Sequence, residues 1–180
     1  MDKARRRSGL YILGGVLAAA GGIGLQVFRH GSGKDTAAID NLWTWPLQTL
    51  EGELQPLARW RGSPLIVNFW ATWCEPCRVE MPLLVRTHQK YAPKGIQIVG
   101  ISIDSAAKVQ EFAKEYKVVY PLLIAGLDVM EIARNLGNQA AGLPYTVVLD
   151  RDGHVQARHL GGISETELEA AISPLLTVHS

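Results

Sequence analysis

Cys74 and Cys77 are the residues of this chain best suited to chemistry. They are its only two cysteines, and Glu75 and Pro76 separate them. A loop this short cannot staple a fold, whereas the spacing is that of a dithiol that exchanges with disulfides. A structural zinc site would need four ligands, and the five histidines lack the paired spacing of one. The pair predicts a redox-active disulfide that needs no metal and no other cofactor.

The two cysteines lie at the predicted junction between a strand and a helix. The apolar run 65–70 predicts a strand buried on both faces, and a helix begins within the cysteine motif and continues toward Tyr91. The sulfur of Cys74 should lie at the helix N-terminus, where free N–H groups and the dipole stabilise a thiolate, so Cys74 is the predicted nucleophile. Pro76 suits the first turn because it lacks an N–H that would be unpaired there. Cys77, one turn deeper, is the predicted resolving thiol.

The chain after the cysteine motif alternates buried strands with amphipathic helices. This order predicts an α/β fold of parallel strands joined by helices, closed by an antiparallel hairpin and a covering helix. Ser164 and Glu167 form the capping box of that last helix. The predicted strands are 95–103, 118–124, 145–149 and 154–160, the predicted helices are 105–116, 127–136 and 164–176, and residues 151–153 form a tight turn.

The N-terminal segment predicts a membrane anchor. Residues 9–28 carry no charge and are numerous enough to cross a bilayer, while Lys3 and the arginines at 5–7 hold the N-terminus in the cytoplasm. The small residues 18–21 also fit a signal-peptide cleavage site, but the apolar run continues to Phe28 and favours an uncleaved anchor. We therefore expect a bacterial inner-membrane protein with a periplasmic catalytic domain. The predicted parts are a cytoplasmic N-terminus at 1–8, a signal-anchor at 9–28, a linker at 29–40 that includes a flexible tether at 31–38, and a catalytic domain at 41–180.

The overall charge points to no polyanionic partner. The 18 basic and 17 acidic residues give a net charge of +1, so no general field steers the chain toward nucleic acid. The apolar fraction of 47% suffices for a core without structural disulfides.

Residues 67–77, Val-Asn-Phe-Trp-Ala-Thr-Trp-Cys-Glu-Pro-Cys, resemble the active-site stretch of the thioredoxin superfamily. More narrowly, they are similar to the membrane-anchored TlpA/ResA/CcmG-like disulfide reductases. The likeness covers about 47–176 and includes Gly-Leu-Pro-Tyr-Thr at 142–146, which matches the superfamily loop whose proline is cis. The resemblance implies a thioredoxin-like fold, a central mixed sheet flanked by helices, with 118–136 as the insert of this branch.

The resemblance also implies a substrate-binding surface around the cysteines. A cis Pro144 would place the backbone of Leu143 beside them, where it offers strand-like hydrogen bonds to an incoming peptide. Trp73, Glu75 and Pro76 complete the expected surface. Glu75 adds negative charge beside the Cys74 thiolate and should favour the oxidised pair, which makes a reductant.

The chain departs from thioredoxin in its proton chemistry. Asn68 stands where thioredoxin has a buried aspartate, so that acceptor is missing. Glu80, three residues after Cys77, is the expected replacement, since an acid at this place is typical of the ResA-like branch. It can relay protons to and from the thiols if burial raises its pKa; the alternative is an acid on a solvated helix face.

The resemblance implies an exported reductase of protein disulfides. Its typical clients are the haem-binding cysteines of apocytochrome c, or cysteines at the copper site of an oxidase assembly protein, and a membrane thiol-transfer protein would supply its electrons. An alternative is a copper-binding protein that uses both cysteines as ligands, with His159 as a possible third. A thiol peroxidase is disfavoured because Val67 and Ala71 occupy the proline and threonine positions of its motif. A disulfide isomerase is disfavoured because the length leaves no room for a dimerisation domain.

Overall fold

The structure, a computed structural model, describes residues 33–176. Within that range one five-stranded mixed sheet carries helices on both faces. The strands are β1 (Leu65–Trp70), β2 (Gln97–Ser102), β3 (Leu122–Ile124), β4 (Tyr145–Leu149) and β5 (Val155–Leu160), and the helices are α1 (Gly33–Thr44), α2 (Glu75–Tyr91), α3 (Ala106–Glu115), α4 (Val129–Asn135) and α5 (Glu165–Leu176), with short 3-10 turns at Leu57–Trp60 and Ala92–Lys94.

The sheet order is β3-β2-β1-β4-β5. β1, β2 and β3 are parallel, β4 is antiparallel to β1, and β5 is antiparallel to β4. Every residue of β1 is buried because helices cover both faces of the sheet, and alternate side chains enter two separate cores. Val67 and Phe69 belong to one core, while Ile66 and Trp70 belong to the other. The predicted thioredoxin-like α/β fold is confirmed, including the closing antiparallel hairpin.

The helix α2 carries the cysteine motif on its first turn. Cys74 is its N-cap residue, and Pro76 lies in the first turn as predicted. The residues that α2 buries recur at helical spacing, so one face packs on the sheet. They are Cys77, Glu80, Met81, Leu84, Thr87 and Tyr91.

Most predicted elements are confirmed, and β1 and β4 have the predicted bounds. The capping box is also present, because the backbone N–H of Ser164 donates to Glu167 and the N–H of Glu167 donates to the Ser164 hydroxyl. The strand predicted at 118–124 is shorter, since only Leu122–Ile124 pairs with β2. The apolar residues before it lie in a connection that follows Lys117, whose φ of 51° ends the preceding helical turn.

The linker predicted at 29–40 is wrong from residue 33 onward. Residues 33–44 form α1, and Ala38, Ile39, Leu42 and Trp43 are buried in a core. These four positions recur at helical spacing and make an apolar stripe. The polar residues at the start of the segment predict a tether and obscure this stripe. The packed domain therefore includes residues assigned to the linker.

The predicted membrane anchor at 9–28 lies outside the described residues. Within residues 33–176, no helix combines the length and apolar character needed to cross a bilayer.

Candidate active site

Cys74 and Cys77 form a disulfide at the N-terminus of α2, with an S–S distance of 2.05 Å. Cys77 is fully buried, whereas Cys74 retains 6% exposure. The backbone N–H of Cys77 donates to the sulfur of Cys74 at 3.3 Å. The same N–H can stabilise a thiolate on Cys74 after reduction, because it belongs to the first helical turn and has no carbonyl acceptor within the helix. This arrangement fits Cys74 as the more exposed, attacking cysteine and Cys77 as the buried, resolving cysteine.

Glu80 lies one turn beyond Cys77 on the buried face of α2, with 3% exposure. One carboxylate oxygen accepts a hydrogen bond from the Asn68 side-chain amide at 2.8 Å, and the other accepts from the backbone N–H of Ile163 at 3.0 Å. The Asn68 amide also donates to the Thr146 hydroxyl at 3.0 Å. The carboxylate thus joins α2, β1 and the loop after β5. The alternative of a solvated helix face is wrong.

Burial raises the pKa of Glu80 above its ordinary value. The hydrogen bonds from Ile163 and Asn68, and the charge of His159 when protonated, oppose this rise without cancelling it. A raised pKa brings a carboxyl group closer to the pKa of a thiol and so favours proton exchange between the two. Burial thus gives Glu80 the property that a proton relay requires.

The loop before Cys74 is held by a clamp that the sequence analysis missed. Both the backbone N–H and the hydroxyl of Thr72 donate to one carboxylate oxygen of Asp104, each at 2.8 Å. Asp104 follows β2, and Thr72 follows the parallel neighbour β1. Because parallel neighbours end at the same sheet edge, an acid just after β2 was a usable signal for such a contact.

The loop before β4 is held in a similar way. The Leu143–Pro144 peptide bond is cis, as the resemblance implied. The Asn138 side chain makes two hydrogen bonds to Gly142: its amide donates to the carbonyl at 2.8 Å, and its carbonyl accepts from the N–H at 3.1 Å. The N–H of Asn138 in turn donates to Ala133 of α4. The loop and α4 are therefore tied together.

A groove of about 730 Å³ opens at the cysteines between the motif and α4, and we call it the α4 groove. The structure brings Cys74 and four of the five predicted substrate-binding residues to its walls. Pro144, Cys77 and Glu80 are buried and do not line the groove. The groove is lined by Trp73, Cys74, Glu75, Pro76, Ile103, Leu127, Met130, Arg134, Ala141, Gly142 and Leu143.

Comparison with known proteins decides the family. The model of the AhpC/TSA family matches residues 40–158, more than half of the chain. The chain belongs to the thioredoxin-like AhpC/TSA family. Relatives of similar sequence include proteins named thiol-disulfide oxidoreductase.

Thioredoxin-like protein YneN of Bacillus subtilis is 35% identical over 127 residues, which cover 68% of this chain and 71% of YneN. Thiol-disulfide oxidoreductase ResA of Bacillus cereus is 30% identical over 128 residues, 70% of this chain and 71% of ResA. The crystal structure of a secreted thiol-disulfide isomerase from Corynebacterium glutamicum superimposes with a TM-score of 0.65 at 26% identity, and the match covers 72% of this chain and 81% of that one.

The site and the relatives together define the activity class. The chain is a thiol-disulfide oxidoreductase of the ResA type, and Cys74 and Cys77 are the thiols that its site provides. Val67 and Ala71, the residues that disfavour a peroxidase, are both buried; Val67 lies within β1 and Ala71 directly follows it. Between residues 33 and 176, the one group of three side chains placed to hold a metal ion is Asp150, Asp152 and His154, which lies at the other end of β4 from Pro144.

Proposed function

We propose that this oxidoreductase works as a reductase of protein disulfides on the outer face of a bacterial inner membrane, anchored by residues 9–28. The observation that carries the direction of transfer is the pair of acids around the dithiol. Glu75 sits between the sulfurs in sequence and is exposed, while Glu80 is buried one turn further on. Negative charge beside Cys74 disfavours its thiolate and hence the reduced pair, so electrons pass readily to a client.

The reaction has two exchange steps. The Cys74 thiolate attacks one sulfur of the client disulfide, forms a mixed disulfide and expels the other client sulfur as a thiolate, which takes up a proton. The Cys77 thiol then loses its proton to Glu80, and its sulfur attacks Cys74. This step closes the Cys74–Cys77 disulfide and frees the second client thiol. Two electrons move from the dithiol to the client.

The cycle needs a source of electrons outside the cytoplasm. An oxidising compartment offers no soluble thiol pool of sufficient reducing strength, so a membrane thiol-transfer protein is the proposed donor. Export is supported by the basic residues ahead of the apolar segment 9–28 and by the secreted relative from Corynebacterium glutamicum.

The proposed clients are proteins whose cysteines must stay reduced for cofactor insertion. The first is apocytochrome c, whose C-x-x-C-H haem-attachment motif holds two cysteines close enough to oxidise. The second is a copper-site protein of oxidase assembly. In both, a disulfide blocks the ligand or attachment thiols, and reduction restores them.

Trapping of the client tests this proposal. A Cys77→Ala variant leaves the mixed disulfide on Cys74 unresolved, so the covalent partner can be purified from cells under acid quench and identified. We expect partners with a C-x-x-C-H motif or paired copper-ligand cysteines, and none with a Cys74→Ala variant as control. A variant that reacts with small disulfides yet traps no protein with either cysteine pattern would contradict the proposed clients.

The redox potential of the cysteine pair tests the proposed direction of electron transfer, from the dithiol to the client. We expect the Cys74–Cys77 pair to be more reducing than the about −180 mV of protein disulfide isomerase. A more oxidising value would make the protein an oxidant or isomerase. Copper titration of the reduced chain tests the alternative hypothesis of a copper-binding protein. Tight copper binding that is abolished by Cys77→Ser, together with no disulfide exchange, would favour that hypothesis.

A further inference from the structure

The wall of the α4 groove opposite the cysteines has a distinct chemical pattern. Leu127, Met130 and Arg134 are spaced by three and four residues, so they follow one another along a single face of the α4 turn and helix. Leu127 is 73% exposed, whereas Met130 is buried in one of the cores. The wall therefore runs from an apolar end to a cationic end.

This apolar exposure continues onto the motif side. Trp73, beside Cys74, is 65% exposed and lines the same groove. Large apolar side chains left in water around a reactive sulfur are typical of a binding surface. An apolar side chain of the client between Trp73 and Leu127 would remove both from water.

The charges of the groove are separated. Arg134 is exposed, and its guanidinium makes no salt bridge within residues 33–176. Glu75 lies on the motif side, close enough to Arg78 to interact with it electrostatically. An acidic client residue next to the cysteine would meet Glu75, whereas an acid further along would meet Arg134.

The spacing of the wall matches an extended chain. Residues two apart in a strand point to the same side and are about 6.6 Å apart. Leu127 and Arg134 are seven residues apart, about 10 Å along the helix axis, and the long flexible side chain of Arg134 can span the difference of about 4 Å. A strand laid along α4 with its cysteine at Cys74 would place every second side chain on this wall.

The groove is also built in advance. Asn138 joins α4 to Gly142 through three hydrogen bonds, so the α4 wall and Leu143 keep their separation without a client. Leu143, the residue before the cis proline, lies in the groove between these walls. A preformed groove spends little binding free energy on ordering itself.

From this pattern we infer that the α4 groove selects client segments in which a large apolar residue stands two positions from the reacting cysteine and an acidic residue stands four positions from it. The occupant is an extended segment of a disulfide-bonded client protein. The inference rests on the proposed reductase function and adds a sequence preference to it.

Symmetric peptide disulfides test this selectivity. Each is a dimer of a short peptide, Cys-Gly-Leu-Gly-Asp or its reverse order, joined through its one cysteine. Variants carry Lys for Asp, Gly for Leu, or Asp moved by one position to the opposite face. The reduced 180-residue chain in mild detergent transfers two electrons to each dimer and releases two peptide thiols, and acid quench with alkylation gives the rate.

We expect one of the two orders to react about three-fold faster with Asp than with Lys, the size of an exposed ion pair. Leu should react about ten-fold faster than Gly because it covers apolar surface. Arg134→Glu should reverse the charge preference, while Arg86→Glu, an equal charge change on the exposed face of α2, should leave it unchanged. Leu127→Ser should reduce the Leu preference, while Leu54→Ser, at 71% exposure outside the groove, should not.

Three outcomes would overturn the inference: equal rates with Asp and Lys peptides in both orders, the same shift with Arg86→Glu as with Arg134→Glu, or no loss when Asp moves to the opposite face. In all three the proposed reductase function stands, since the peptides are still reduced. A chain that reduces none of the peptides would instead contradict the reductase function and this inference with it.

Discussion

The clamp between Asp104 and Thr72 should control the reactivity of Cys74. Thr72 stands two residues before the nucleophile, and its N–H and hydroxyl both donate to one Asp104 oxygen at 2.8 Å. Hydrogen bonds to a charged group contribute about 1.5–3 kcal/mol each. Lys108 lies 3.9 Å from the other Asp104 oxygen, but it is largely exposed and adds less than about 1 kcal/mol.

Asp104→Ala should therefore lower the free energy of unfolding by about 2–4 kcal/mol, since Thr72 is half-buried and water replaces part of the loss. Asp104→Asn keeps an acceptor oxygen, and Thr72→Val keeps the backbone donor, so each should cost about 1–2 kcal/mol. Release of the loop should also slow attack by Cys74 on a small disulfide by about ten-fold or more, because misplacement of a reacting atom is costly. Asn at 104 should restore most of that rate.

Denaturant unfolding and stopped-flow exchange measure the two effects separately. Asp150→Ala is the matched control, because Asp150 accepts the backbone N–H groups of Asp152 and His154 in the turn at the other end of β4. It should lose comparable stability with no change in exchange rate. An Asp104→Ala variant whose stability falls while its exchange rate stays normal would refute the positioning role. So would additive effects of Asp104→Ala and Thr72→Val, since residues that share a hydrogen bond should couple.

Three other substitutions probe the rest of the site. In the oxidised chain the raised pKa of Glu80 means that the folded state keeps its proton above the ordinary pKa of 4.5, so stability falls as pH rises from there through the raised value. Glu80→Gln should abolish this fall, so its advantage over the parent should grow with pH in denaturant unfolding. Glu75→Gln should make the redox potential less reducing, measured against glutathione, because it removes negative charge beside the Cys74 thiolate. Asn138→Ala should cost about 1–3 kcal/mol of stability and weaken peptide binding, because Gly142 loses both partners.

Each of these predictions has an opposite result. An advantage of Glu80→Gln that shrinks as pH rises would mean that the Glu80 pKa is lowered. A potential that becomes more reducing in Glu75→Gln would show that Glu75 does not favour the oxidised pair. Peptide binding that is unaffected by Asn138→Ala would show that the hydrogen bonds between Asn138 and Gly142 do not shape the groove.

The sequence predicted the elements that bury apolar runs. β1 and β4 are mostly apolar stretches bounded by turn residues, and such runs indicate buried strands. The cysteine motif could be placed on a helix N-terminus because proline and cysteine both suit the first turn. Local chemistry was therefore enough to place Cys74 and Cys77.

Contacts between segments that are distant in the sequence are harder to predict from it. Glu80 was chosen by its resemblance to a family position, but its bond to Ile163 depends on a loop 83 residues away. The Asp104 clamp needed the strand order, which periodicity does not give. The α1 stripe is hard to recognise because the helix begins with Gly-Lys-Asp-Thr, and this polar start obscures the apolar spacing behind it.

The most direct test of the central claim is the site of the mixed disulfide. Reduced Cys77→Ala is mixed with a peptide disulfide, quenched in acid and mapped by mass spectrometry. The predicted result is one peptide on Cys74, with the unsubstituted chain instead releasing free peptide and closing its own disulfide. A Cys74→Ala variant that forms the adduct equally fast on Cys77, or a Cys77→Ala variant that forms none, would contradict the assignment of Cys74 as the attacking thiol.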